Sequence, residues 1–237
     1  MNSAPGTGEV VLSWITSFTT ESMAIHNLTM SRGRTLVWLL IYTAVLVWSA
    51  VAPKDYMTWV LEVFPALAGL VVLAWTWHKF PLTPLVYWLI LAHCVILMVG
   101  GHYTYAEVPL FDWVKHVLGQ ARNNYDKLGH LAQGLVPALI AREILLRRRI
   151  VNGVAWTNFI VICICLAISA CYELIEWLVA LVSKQAADAF LGTQGYIWDT
   201  QSDMAWALLG AVLAIALLGR IHDRQIRTVV AAELAGS

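Results

Sequence analysis

The chain has 237 residues, 59% of them hydrophobic and 13% charged, with a formal net charge of zero. A soluble domain carries about a quarter charged residues, so this composition, with a mean hydropathy of +0.69, excludes an ordinary soluble fold. It predicts an all-α, polytopic membrane helix bundle whose immediate partner is the lipid bilayer; the absent net charge argues against nucleic acid.

Residues 1–34 read as an N-terminal extension without the basic start, apolar run and small-residue cleavage site of a signal peptide. Val10, Val11, Trp14, Ile15 and Phe18 fall at helical spacing, which suits a short helix lying on the membrane surface. Met30 is an alternative start that would make the preceding residues dispensable.

A spanning helix needs about 20 mostly apolar residues. Six such stretches are expected, at 35–52, 57–76, 84–101, 127–146, 156–182 and 203–220, the fourth being the least apolar. Pro53-Lys54-Asp55 breaks the first from the second, and Trp77-His78-Lys79-Phe80-Pro81 the second from the third. The long connections are 102–126 and 183–202. In the former, Pro109 precedes Leu110, Trp113, Val114, Val117 and Leu118, apolar at helical spacing up to Gly119. That pattern predicts a short interfacial helix, an anchor or a lid. The membrane domain is thus 35–225, followed by a tail at 226–237. Cys94, Cys163, Cys165 and Cys171 have neither zinc-ribbon spacing nor a disulfide framework, and read as packing residues.

Lys and Arg bias sets orientation. With the N-terminus in the cytoplasm, ten basic residues lie inside: Arg32, Arg34, Lys79, Arg142, Arg147, Arg148, Arg149, Arg220, Arg224 and Arg227. Five lie outside: Lys54, Lys115, Arg122, Lys127 and Lys184. Both termini are therefore expected to be cytoplasmic.

On that topology the unusual polar residues gather at the outer side. The third span ends at Gly100-Gly101-His102, and the fourth begins at Asp126 and His130. The fifth carries Glu173 and Glu176 in its outer half, and the sixth enters at Asp199 and Asp203. Three stripes are aligned: Asp126, His130, Gln133 and Pro137; Cys165, Ser169, Glu173, Glu176 and Ala180; Asp199, Asp203, Ala207, Gly210 and Ala214. Small residues below a polar cap predict close packing of helices four to six, with His102 and Glu107 covering the acids from the loop.

Clustered carboxylates need protons, Arg122 and Lys127, a metal ion or a cationic ligand for compensation. Asp126, His130, Glu173, Glu176, Asp199 and Asp203 are the candidate catalytic residues. His102, Asp126, His130, Glu173, Glu176 and Asp203 are the candidate metal ligands. Mixed carboxylate and imidazole donors suit Zn, Mn or Fe better than Ca, and such an ion would activate water against a phosphoryl or acyl group. A site opening at lipid depth would take an envelope lipid or lipid-linked precursor. Two other readings stay open: a non-enzymatic protein, either a proton-coupled transporter or an envelope binding or assembly factor, with the acids as a relay, and a structural hydrogen-bond network. No nucleophile elbow, Walker loop or dinucleotide fingerprint is present.

At HYTYAEVPL, NNYDKLGHLAQGLVPALIAREILLR, CYELIEW, FLGTQG and WDTQSDM the chain resembles the YjdF family of bacterial inner-membrane proteins of unknown function, over about residues 33–225. The resemblance implies a multi-pass protein of the bacterial inner membrane and no particular activity. The layout is also similar to that of VanZ-like membrane proteins, which carry an Asp-Lys-x-x-His helix start, a later acidic helix and a final Asp-bearing helix.

Overall fold

The computed structural model describes residues 29–182 and 197–235. The proposed surface helix at 10–18 and most of the 183–202 connection, with Lys184, lie outside the described residues. Among those described, all regular structure is helical: α1 Arg32–Ala50, α2 Tyr56–Thr76, α3 Pro84–Tyr103, α4 Pro109–Leu118, α5 Tyr125–Arg147, α6 Val154–Val182, α7 Asp199–Leu213 and α8 Gly219–Ala235. A π-helical turn, Ala214–Leu218, joins α7 to α8. The last 37 helical residues therefore run as one rod, about 55 Å long at 1.5 Å per residue. The stretch expected as a tail continues this helix, with Ile226 and Val229 buried.

The element boundaries follow local chemistry. The Asp55 carboxylate caps α2 by accepting from the Thr58 N–H at 2.7 Å. α3 and α4 each open on a proline, at Pro84 and Pro109. Left-handed residues stop them: Thr104 (φ 58°) after α3 and Gly119 (φ 62°) after α4. α4 is the expected amphipathic segment, with Leu110, Trp113, Val117 and Leu118 all exposed.

Among the described residues, five elements are long and apolar enough to cross a membrane: α1, α2, α3, α6 and the α7–α8 rod. The remaining expected span, α5, has the length, 23 residues, but not the composition. Its position explains why. α5 is the axial helix, packed against α3, α6, α7 and α8, with eleven residues buried. Protein rather than lipid surrounds it, so lipid-like hydropathy is not required along its length.

α5 and α7 meet at backbone contact. A Cβ on Gly134 would fall on the Ala207 carbonyl, and one on Gly210 would fall on the Leu131 carbonyl. Ala207, Ala211 and Ala214 complete the seam without exposure. This is the expected small-residue stripe of the last span, and it lets the two helices approach closely enough for dispersion to hold them in lipid. α1 is more peripheral. It is tied in by Trp38 Nε1 donating to the Tyr87 carbonyl at 2.8 Å and by the Tyr42 hydroxyl donating to the Ala66 carbonyl at 3.0 Å.

The far end of α5 carries a polar lock that the sequence reading did not anticipate. Glu143, with no exposure, accepts from the Thr83 N–H at 3.0 Å, the Thr83 hydroxyl at 2.8 Å and Arg147 Nη1 at 2.7 Å. His222 Nε2 lies 3.0 Å from the same carboxylate. Arg142 pairs with Asp223 at 2.7 Å, and Arg147 pairs with Glu233. The arginines counted above as loop charges thus pin α8 to α5.

Candidate functional site

The opposite end of α5 holds the acids. Its first turn presents Asp126 and Lys127 on adjacent faces. Lys127 turns toward α7, where Nζ lies 2.7 Å from Asp199 Oδ1 and 2.6 Å from Asp203 Oδ1. Asp126 Oδ2 is 3.5 Å from the same ammonium. Arg122, from the loop before α5, pairs with Asp126 and reaches Asp199 Oδ2 at 2.9 Å. Burial disfavours the Arg122 charge, but the hydrogen bond to Asp199 and the nearby Asp126 and Asp199 charges outweigh it and raise its pKa. Two cations thus balance much of a three-carboxylate cluster.

One helical turn further along α5, His130 faces two acids from different helices. Its Nε2 is 3.8 Å from Glu173 Oε1 on α6 and 3.7 Å from Asp203 Oδ1 on α7. Its Nδ1 is 3.1 Å from Gln133 Oε1. Glu173 Oε1 is buried and has no hydrogen-bond partner. Ligand-capable atoms of His130, Glu173 and Asp203 lie within 4.8 Å of one another, as do those of Asp126, Asp199 and Asp203. Both trios could hold an ion by distance alone. The second already has Lys127 and Arg122 on its carboxylates; the first has no such cation on Glu173 Oε1.

Arg122, Asp126, His130, Asp199 and Asp203 border a cavity of about 710 Å³, with Lys127 and Glu173 set behind its lining. Asp126, His130, Gln133 and Pro137, the expected stripe of the fourth span, all line it. Glu176 lines it from α6, and Asp199 and Asp203 from α7. Its apolar part is made by α2 and α6, where Val60, Phe64, Ile168 and Ile175 are each at least 40% exposed. In a bilayer those side chains meet lipid. One end of the cavity is therefore charged and the other continuous with the membrane-facing surface.

One acid on the cavity wall escaped sequence reasoning. Glu62, on α2, is the sole acid in the second expected span and is buried on the cavity wall. The signal was available, since an ionisable residue in an apolar run is a functional pointer by itself; it stood alone on its helix and matched no stripe. Tyr105, which lines the same cavity, is placed by backbone strain. Thr104 and Tyr105 both take positive φ, 58° and 48°, a conformation that costs non-glycine residues on the order of 1–3 kcal/mol each. The ring fills a slot whose walls are Gly100 and Gly129, where any Cβ would crowd it. Burial, and after it the charge of Glu62, push the Tyr105 hydroxyl well above the usual phenol range, so it stays a neutral donor.

His102 and Glu107 do not cover the acids. His102 Nδ1 is 3.1 Å from the Ser49 carbonyl, and its ring lies 4.5 Å from that of Trp48. Glu107 pairs with Lys54. The left-handed pair at Thr104 and Tyr105 turns the chain after α3, so Tyr105 enters the cavity while His102 faces α1. His102 is thereby removed from the candidate ligand set.

Residues 34–224 match the family model described as "Predicted membrane protein (DUF2238)". The chain is 54% identical over 185 residues to the inner membrane protein YjdF of Escherichia coli (strain K12), covering 78% of this chain and 88% of that one. No solved structure matches. The chain belongs to the DUF2238 family and is a multi-pass protein of the bacterial inner membrane.

Proposed function

We propose that this inner-membrane protein is a metal-dependent hydrolase or transferase acting on an envelope lipid or lipid-linked precursor. The observation that carries this reading is the cavity itself, apolar between α2 and α6 and lined by His130, Asp203 and Glu176 at its polar end. An amphiphile fits such a space with its chain toward lipid and its headgroup among the acids. Ligand sites commonly have this size, about 300–1,000 Å³, and combine apolar walls with a few convergent polar groups.

In this reading His130, Glu173 and Asp203 carry the chemistry, and a Zn, Mn or Fe ion held there would polarise the scissile group and generate hydroxide from water. Asp126 and Asp199 align the helices through Arg122 and Lys127, while Glu62 and Glu176 contact the headgroup. The ten-to-five distribution of basic residues supports an outer-leaflet position for the polar end. The same ion pairs favour a second reading for one part of the cluster: the Lys127 network is structural glue, as polar groups between membrane helices often are.

The test compares envelope lipids from cells producing wild type and His130→Gln at equal abundance. A lipid species consumed or formed with wild type alone is the expected result. Identical profiles would reject the enzymatic reading and leave transport or assembly. A periplasm-active reporter fused near Lys184 should be active and one after Arg149 silent; the reverse would move the site to the inner leaflet.

A further inference from the structure

We infer that a single divalent ion of the zinc, manganese and iron class is held by three side chains only, His130 through Nε2, Glu173 through Oε1 and Asp203 through its carboxylate, with its remaining coordination open to the cavity. This rests on the catalytic reading above and narrows six candidate ligands to three.

The imidazole gives the first argument. With Nδ1 3.1 Å from Gln133 Oε1, the other ring nitrogen, Nε2, is turned toward Glu173 and Asp203. It faces two carboxylate oxygens at 3.8 and 3.7 Å, beyond hydrogen-bond range, so no direct bond joins the three groups. A cation between the three atoms would coordinate all of them. Gln133 is then the outer partner that metal-bound histidines nearly always have.

The second argument is independent. Glu173 is 6% exposed, and its Oε1 has no hydrogen-bond partner. A buried oxygen without a partner loses on the order of 1–3 kcal/mol of solvation. It needs a proton or an ion, and His130 Nε2, 3.8 Å away, is too far to donate a hydrogen bond to it. The separations also fit. A tetrahedral ion with bonds of about 2.1 Å sets its ligands about 3.4 Å apart, close to the 3.8 and 3.7 Å from Nε2 to the two carboxylate oxygens, and all three ligand atoms lie within 4.8 Å of one another.

The neighbouring trio of Asp126, Asp199 and Asp203 is excluded by occupancy. Lys127 and Arg122 lie at hydrogen-bond distance on the two Asp199 oxygens and Arg122 also pairs with Asp126, so a further cation there would meet two fixed positive charges, whereas in the proposed trio only Asp203 carries one, Lys127. Asp203 belongs to both trios, so Lys127 orients it for the ion. Three protein ligands from α5, α6 and α7, two of them lining a cavity, is the arrangement of a catalytic rather than a structural metal site.

The experiment is metal titration of the detergent-purified protein after chelation, with zinc chloride and manganese chloride in separate arms. Bound metal is measured after desalting, and folding is checked by thermal melting. Wild type is expected to take up about one ion per chain. His130→Gln and Glu173→Gln should reduce this to background while still melting cooperatively. Gln133→Ala should weaken binding about 10–100-fold, the usual effect of losing an outer partner. Asp126→Asn and Glu176→Gln should bind like wild type. A wild type that retains neither ion overturns the inference whatever the variants do, and leaves an imidazolium between two carboxylates. Loss of binding in Asp126→Asn with retention in Glu173→Gln would also overturn it, by moving the ion to the other trio. Metal uptake with an unchanged lipid profile leaves this site standing and rejects the reaction. Lipid turnover by metal-free protein does the opposite.

Discussion

Lys127 shares one charge among three carboxylates, and its side chain is only 9% exposed. Removing one member of a buried ion pair strands the others and typically costs about 3–5 kcal/mol. Lys127→Met should therefore lower the melting temperature sharply, whereas His130→Gln should barely change it, since an interhelical hydrogen bond in a membrane averages about 0.6 kcal/mol. Thermal melts of the two variants in one detergent check this; equal destabilisation would contradict it. The contrast also explains what was legible. Asp126, His130, Glu173, Glu176 and Asp203 stand out because each is ionisable within an apolar run and recurs at helical spacing. The division of labour between them was not legible, because Asp126, Lys127 and His130 sit in two turns of one helix. Only the rotation of α5 decides that Lys127 faces α7 while Asp126 and His130 border the cavity. His102 was misassigned for a similar reason: chain proximity cannot reveal two consecutive left-handed residues.

At the scale of elements, the α5–α7 seam tolerates no side chain at Gly134. Gly134→Val would drive a branched group into the Ala207 carbonyl, which belongs to a helix and cannot rotate away. The expected result is loss of folded protein by size-exclusion profile and melting. Gly69→Ala is the matched control. A Cβ there meets nothing within 4 Å, and alanine in a helix interior is favoured by about 0.5–1 kcal/mol over glycine, so this variant should be unchanged or slightly more stable. The seam was visible in the sequence as Ala207, Gly210 and Ala214 at helical spacing below two acids. The lock at Glu143 and His222 was not. Its partners are separated by 60 and 79 positions in the chain, and basic residues near a helix end read first as topology signals.

For the whole molecule, the polar character of α5 bears on biogenesis. Asp126, Lys127, His130, Arg142, Glu143 and Arg147 all lie on one helix, and insertion scales charge about 2.5–3.5 kcal/mol for each Asp, Lys or Arg at mid-bilayer depth. The partners of Lys127 arrive 72 and 76 positions later in the chain. When α5 emerges during synthesis, its outer turn has Arg122 and its own Asp126–Lys127 pair but neither Asp199 nor Asp203, and His222 and Asp223 are absent from the other end. α5 is thus a helix that cannot enter the bilayer on its own and is recruited late, by α7 and α8. A chain truncated after Val182 should leave α5 unstable in the membrane, detectable as labelling of a cysteine at Leu139 by a membrane-impermeant thiol reagent in the cysteine-free background. The full-length chain, in which Leu139 has no exposure, should be protected. Protection in both would mean that α5 inserts unaided, and rapid proteolysis of the truncated chain alone would report the same unmet dependence through quality control.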